Sequence, residues 1–329
     1  MASFNSTGVD EDQVLVEEKR SVRLLTLNRT KQLNALSFKM VSRLLELFVS
    51  YDTDPSVKLV VVKGKGRAFC AGGDVSAVVH DLKQGDWRKG AYFFQKEFIL
   101  NYLMATFSKP QVSLLNGIVM GGGAGVSIHG RFRVATEKSV FAMPETALGL
   151  FPDKLKDLEE ALCRADTSPP CNISEIIDKF TQRPILKERS AYHRTVEDIL
   201  AALEEEALKK KDDWVTSTIQ ALKKASPTSL KISLRSIREG RLQGIGQCLI
   251  REYRMVCHVL RGEVSKDFVE GCRAILLDKD HNPKWEPSNL GLVTDAMVER
   301  YFSRIEDEDW EDLKLPARSN LPASAISKL

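Results

Sequence analysis

Arg67-Ala68-Phe69-Cys70-Ala71-Gly72-Gly73-Asp74 follows the apolar run Val57 to Lys63. Asn116-Gly117-Ile118-Val119-Met120-Gly121-Gly122-Gly123-Ala124-Gly125 follows a second apolar run, Gln111 to Leu115. Runs such as Val60-Val61-Val62, closed by Gly64 and Gly66, read as strands covered on both faces, the mark of a parallel sheet. Glycines at a strand-to-helix turn let bare backbone approach a ligand and leave the first helical N–H groups pointing outward. Two such turns brought together would make an anion or oxyanion site.

Outward from these turns the chain alternates. Val14 to Glu17 and Val22 to Asn28 flank the charged Glu18-Lys19-Arg20 and predict a hairpin. Ser37 is the expected N-cap of a helix whose apolar face is Met40, Val41, Leu44, Leu45 and Phe48, ending before Pro55. A long amphipathic stretch, about Trp87 to Phe107, precedes Pro110, and short strands at Arg133 to Ala135 and Val140 to Met143 follow the second glycine turn. Strands alternating with helices predict an α/β core, with no repeat of 20 to 50 residues. Beyond Asp153 helix formers dominate. Thr195-x-x-Asp198 resembles a capping box ahead of Val196, Ile199, Leu200, Leu203 and Ala207. Glu205 and Glu206 precede Lys209 and Lys210 by four residues, the pattern of a solvated helix face. Ser226-Pro227 opens a helix that stops near Gly240, and Cys248 to Val259 and Asp267 to Leu277 predict others. The expected organisation is a disordered N-terminus over 1–13, an α/β core over 14–165, a helical region over 166–314 and a tail over 315–329.

Composition removes several function classes. A length of 329 residues suits about two domains, or one large one with an appendage. The 48 basic and 45 acidic residues leave a net charge of +3, too weak a field for nucleic acid or anionic lipid to be the main partner. No apolar run approaches the roughly 20 residues of a membrane span, and the N-terminus lacks a basic and apolar leader, so a soluble, non-secreted protein is expected. Six scattered cysteines without a C-x-x-C pair suggest neither a zinc site nor a redox dithiol.

Phosphate-loop and nucleophile-elbow motifs fail residue by residue. Val126 stands where G-x-G-x-x-G needs its third glycine, and Gly130 falls one place too late for G-x-S-x-G around Ser127. Ser127 and His129 therefore read as structural. Pro144-Glu145-Thr146-Ala147-Leu148-Gly149-Leu150-Phe151-Pro152-Asp153 places two carboxylates, Glu145 and Asp153, in an apolar, turn-rich stretch. Burial there would raise their pKa values and suit acid/base work.

The two glycine turns followed by Met143-Pro144-Glu145-Thr146 resemble the crotonase (enoyl-CoA hydratase/isomerase) superfamily. His129-Gly130-Arg131-Phe132-Arg133-Val134-Ala135-Thr136-Glu137, the phrase ending Gly149-Leu150-Phe151-Pro152-Asp153, Lys266-Asp267-Phe268-x-Glu270-Gly271 and Asn282-Pro283-x-Trp285 resemble its 3-hydroxyisobutyryl-CoA hydrolase branch, in the plant-type peroxisomal form. The resemblance implies a crotonase-like spiral of ββα units with a helical C-terminal region, and hydrolysis of an acyl-CoA in valine catabolism. The amides of Gly73 and Gly122 would hold the thioester oxygen. Glu145 would attack the thioester or activate water, and Asp153 would bind the substrate hydroxyl. Ala71, Gly72, Asp74, Gly121 and Gly125 would line the acyl-CoA site. No metal or redox cofactor is implied, coenzyme A being part of the substrate. Hydratases of the superfamily carry a second Glu where this chain has Gly125, which disfavours the alternative of enoyl-CoA hydration.

Measured against that branch, several dozen residues are missing between Asp153 and Lys154, with a smaller gap near Tyr192. A second alternative follows: an impaired isoform that binds coenzyme A or full-length subunits. A second copy of the chain is a further candidate partner. Ser327-Lys328-Leu329 is the address read by the peroxisomal import receptor, an ending that equal residue usage gives to about one chain in 8,000.

Overall fold

The computed structural model describes residues 12–149, 195–209 and 212–318. The predicted hairpin is β1 (Val14–Lys19) against β2 (Val22–Leu27), paired antiparallel with Val14 opposite Leu27. Helix α1 (Phe38–Thr53) begins where Ser37 accepts the Met40 N–H at 3.1 Å, and it buries Met40, Val41, Leu44 and Phe48 completely. The next strand, β3 (Leu59–Gly64), starts two residues later than the apolar run. Val57 is buried, but pairing with β2 begins only where the Lys58 and Leu59 N–H groups reach Ser21 C=O.

From β3 onward the chain repeats one move. The first strand of each unit joins one sheet and the second joins another. β3, β5 (Gln111–Leu115) and β7 (Phe132–Ala135) extend the hairpin in the order β1-β2-β3-β5-β7, parallel from β2 onward. Short strands β4 (Ala68–Cys70), β6 (Ile118–Met120) and β8 (Val140–Ala142) form a parallel three-stranded sheet in that order. β4 and β6 lie inside the glycine stretches, which read from sequence as turns alone; three residues are too few to show a period. Helices α2 (Val75–Lys83), α3 (Trp87–Ala105) and α4 (Gly122–Ile128) complete the units. This is the crotonase-like spiral.

The helical region follows as α5 (Val196–Lys209), α6 (Asp213–Lys224), α7 (Pro227–Gly240), α8 (Ile245–Arg261), α9 (Asp267–Cys272) and α10 (Asp295–Phe302). The capping box at α5 is reciprocal, with Thr195 N–H to Asp198 Oδ2 at 2.9 Å and Asp198 N–H to Thr195 Oγ1 at 3.1 Å. Glu205 and Lys209 pair at 2.6 Å on its exposed side, while Lys210 lies outside the described residues. Pro227 sits in the first turn of α7 as predicted, but Gly240 is its last residue rather than the one beyond.

The spiral and the helices share one hydrophobic core, in which Leu100, Leu103 and Met104 of α3 join Tyr253, Met255 and Val256 of α8. Arg318 returns to the first units, with Nη1 2.6 Å from Asp52 Oδ2 and Nη2 donating to Thr106 C=O at 2.7 Å. Helix α3 is therefore walled in on several sides. Any polar group on its inner face must find a use or a partner.

Candidate active site

The first glycine turn is fixed by pairing with residues 33–36. Ala71 N–H donates to Leu33 C=O at 3.0 Å, Leu36 N–H to Gly72 C=O at 2.7 Å, and Asp74 N–H to Leu36 C=O at 2.9 Å. Parallel pairing of this kind uses the groups on either side of a residue and skips the residue itself. Gly73 is the one skipped, so its N–H points away from the ladder. Gly72 has φ +102°, a conformation side chains rarely adopt, and a Cβ there would press on Met120 C=O at 3.2 Å. Asp74 locks the far side: it caps α2 through Ala77 N–H and pairs with Arg29 Nη2 at 2.9 Å.

Gly122 is the first residue of α4, where an N–H has no partner within its own helix. A Cβ at Gly122 would lie 3.2 Å from Gly73 N, so the two turns are in contact. Among the described residues neither amide donates a hydrogen bond. Two unused donors side by side at the ends of paired strands suit an oxyanion, which forms only in the transition state.

Glu145 opens a single 3-10 turn, Glu145–Leu148, separated from the end of β8 by two residues. Its Oε1 lies 2.8 Å from where a Cβ on Gly121 would be, one residue from the Gly122 amide. Gly121 and Glu145 thus lie side by side. Asp153 lies outside the described residues, as does the tripeptide Ser327-Lys328-Leu329.

A second carboxylate was missed in the sequence. Glu97 of α3 is only 3% exposed, and its Oε1 lies 2.2 Å from a Cβ built on Gly122, its Oε2 4.0 Å from one on Gly73. Only glycine at 122 leaves room for it. Among the described residues no hydrogen bond or ion pair reaches Glu97, and burial alone pushes its carboxyl up to about 7. One turn on, Asn101 is 6% exposed with Oδ1 unpartnered, and its Nδ2 stands 2.9 Å from a Cβ on Gly125. A side chain at 125 would collide with Asn101. The signal was present in the buried stripe Phe93, Phe94, Glu97, Leu100, Asn101 and Met104, spaced 1, 3, 3, 1 and 3, which puts a carboxylate and an amide on an otherwise apolar face.

Ser127 is structural as read: fully buried, it donates to Gly123 C=O at 2.8 Å and Ala124 C=O at 3.0 Å. His129 lies past the opposite end of α4, and burial pushes its imidazole down to about 4. No group of three or more metal-binding side chains occurs among the described residues, and none of their helices is long and apolar enough to cross a membrane.

Spiral, paired glycine amides and flanking carboxylates define a class, and comparison with known families agrees. Residues 22–155 and 153–302 match the family model described as enoyl-CoA hydratase/isomerase. The chain belongs to that family. Within it, the chain is 60% identical to 3-hydroxyisobutyryl-CoA hydrolase 1 of Arabidopsis thaliana, over 97% of this chain and 98% of that protein. It is 57% identical to the same plant's probable 3-hydroxyisobutyryl-CoA hydrolase 3, over 96% and 98%. A solved structure, the carnitinyl-CoA dehydratase of Mycobacterium thermoresistibile, superposes with a TM-score of 0.75 at 33% identity, covering 93% of this chain and all of that one.

Proposed function

We propose that the chain is an acyl-CoA thioester hydrolase acting on 3-hydroxyisobutyryl-CoA, a step of valine breakdown. The observation that carries this reading is the convergence of two amides, Gly73 and Gly122, that have no partner among the described residues, with the Glu145 carboxylate at Gly121. The thioester oxygen lies between the amides. Glu145 attacks the carbonyl carbon, or draws a proton from water that does so. The C–S bond breaks and the thiolate takes up one of the protons of the water consumed; in the attack route that water cleaves the acyl–Glu145 anhydride, so either route releases the free acid and leaves Glu145 a carboxylate. Glu97, un-ionised over half the time below pH 7, faces the developing negative charge without repelling it and lends it a proton. Asp153 binds the substrate hydroxyl.

The experiment is release of free coenzyme A from 3-hydroxyisobutyryl-CoA by purified protein, with Glu145→Ala as the control. No turnover by folded protein, or full turnover by the variant, overturns the assignment. Asn101 Nδ2 stands 2.9 Å from a Cβ on Gly125, so the second carboxylate of this site is Glu97 of α3, and hydration of an unsaturated acyl-CoA is the alternative reading. Absorbance loss with such a substrate would favour the hydratase reading instead.

The proposal extends to an internal excision next to Asp153. The alignment with the Arabidopsis hydrolase runs over 373 positions, while 97% of 329 residues is about 319, so about 54 positions of that relative lack a counterpart here. The family match also breaks into two segments that meet at residues 153–155. Phe132 and Val134 of β7 and Val140 of β8, in the last strands before the join in sequence, stand about half exposed. At about 25 cal/mol per Å², a few hundred Å² of uncovered apolar surface costs several kcal/mol. Messenger RNA reads across the Asp153–Lys154 junction, and thermal melts of the purified chain beside one carrying the missing residues, test this part. We also propose peroxisomal import through Ser327-Lys328-Leu329; a fluorescent fusion that stays diffuse with the tripeptide intact would count against it.

A further inference from the structure

The turn that carries Glu145 is closed by short-range bonds, Ala147 N–H to Pro144 C=O at 3.0 Å and Gly149 N–H to Thr146 C=O at 3.4 Å and to Glu145 C=O. One 3-10 turn does not fix its own orientation. Its supports come from the helical region. Ser226 N–H donates to Thr146 C=O at 3.1 Å. A Cβ on Gly149 would lie 2.4 Å from the Asp267 carbonyl carbon, and one on Gly271 would lie 2.6 Å from that of Leu148. The backbone of the turn therefore rests directly on the backbone of α9, at a separation that only glycine permits on each side.

Ser226 and Asp267 are themselves joined. Ser226 Oγ, fully buried, donates to Asp267 Oδ2 at 2.6 Å, and Asp267 is 4% exposed. Asp267 Oδ1 accepts the Glu286 N–H at 3.0 Å, and its own N–H donates to Ser265 Oγ at 3.0 Å. Ser226 Oγ also accepts Ser229 N–H at 3.0 Å, which starts α7. One buried carboxylate thus ties together α7, α9 and the segment at Glu286. An apolar residue of similar size would leave the Ser226 hydroxyl and the Glu286 amide without partners.

We infer that Asp267, acting through Ser226, is the positioning residue that holds the Glu145 turn against the glycine amides. This role rests on the proposed function for its kinetic consequence but not for its structural one. Asp267 touches no substrate. It fixes where the Thr146 carbonyl sits and hence the direction in which the neighbouring Glu145 carboxylate points.

The test uses the full chain with Asp267→Asn, Ser226→Ala and their combination. Ser236→Ala is the control: this buried serine of the same helix α7 binds Arg251 and does not touch the turn. Hydrogen exchange at the Ala147 and Gly149 amides is expected to speed up by about tenfold or more in Asp267→Asn and Ser226→Ala, and to stay unchanged in the control. For thioester hydrolysis kcat is expected to fall by about tenfold with KM within about twofold, because a misdirected carboxylate loses reactivity and not binding. The combined variant should be little worse than either single one, since both act through one contact. Unchanged exchange at Ala147 and Gly149 in folded Asp267→Asn, or equal acceleration in Ser236→Ala, overturns the inference. Should Asp267→Asn fail to fold, Ser226→Ala, which keeps the N–H to Thr146, carries the same two outcomes. Absence of turnover in the unmodified chain would count against the proposed function alone, and the exchange measurement would still decide this inference.

Discussion

The two walls of the site are built differently. The proposed oxyanion wall consists of backbone: Gly73 and Gly122 belong to the turns that follow β4 and β6, the first aimed by its neighbours' ladder bonds and the second by its place at the start of α4. The carboxylate wall consists of side chains on elements remote in sequence. Glu97 projects from the middle of a 19-residue helix, and Glu145 from a single turn held from outside by Ser226, Asp267 and Gly271. A wall of amides can be specified locally, whereas a wall of carboxylates depends on what the rest of the chain presses against it.

Breaking the carboxylate wall should have the largest effect. Glu145→Ala should lower coenzyme A release by about 10²- to 10⁴-fold, measured under saturating thioester, while leaving the fold intact. Breaking the backbone wall comes next. Gly122→Ala puts a methyl 2.2 Å from Glu97 Oε1 and 3.2 Å from Gly73 N, and a loss of about 10²- to 10³-fold is expected. If Gly122→Ala costs nothing, the amides are not the oxyanion site.

The third change separates the two carboxylates by pH. Glu97 in the folded protein has its carboxyl raised by burial from 4.5 to about 7. Between these values the folded state binds more protons than the unfolded state, so stability falls as pH rises through that window. The penalty is absent below about pH 4.5 and complete above pH 7. Glu97→Gln should therefore gain roughly 3 kcal/mol relative to the parent between pH 4 and pH 8 in denaturant melts. In kinetics, kcat/KM of the parent should decline above pH 7 as Glu97 ionises, and this limb should vanish in Glu97→Gln. An identical alkaline limb in both proteins would remove Glu97 from the chemistry.

The smallest effect sharpens the backbone wall. Arg29→Ala removes the partner of Asp74 and one hydrogen bond to Ala35 C=O, loosening the segment next to Gly73. A loss of about 1 kcal/mol in stability is expected, with a severalfold lower kcat.

Much of the fold was legible because its signals are local. The hairpin, the caps at Ser37, Thr195 and Ser226, the strand Gln111–Leu115 and the long helix α3 all stand where periodicity and capping chemistry put them. The two glycine turns were legible for the same reason, while the choice of Gly73 and Gly122 within them came from the family resemblance. What escaped was non-local. β4 and β6 are three-residue strands whose existence depends on each other. Glu97 looked like an ordinary helix residue because only the approach of Gly122 shows that its face is closed. Asp267 and Ser226, 41 residues apart, could not be seen as one contact.

The sequence by itself determined the order of ββα units, the two glycine turns and Glu145, because steric and hydrogen-bond preferences act over a few residues. Only the tertiary structure decided that Glu97 is buried against those glycines, that Asn101 closes the space beside Gly125, and that the helical region carries the Glu145 turn. Each of these is a matter of which surfaces exclude water from one another, and that is settled by packing across the whole chain.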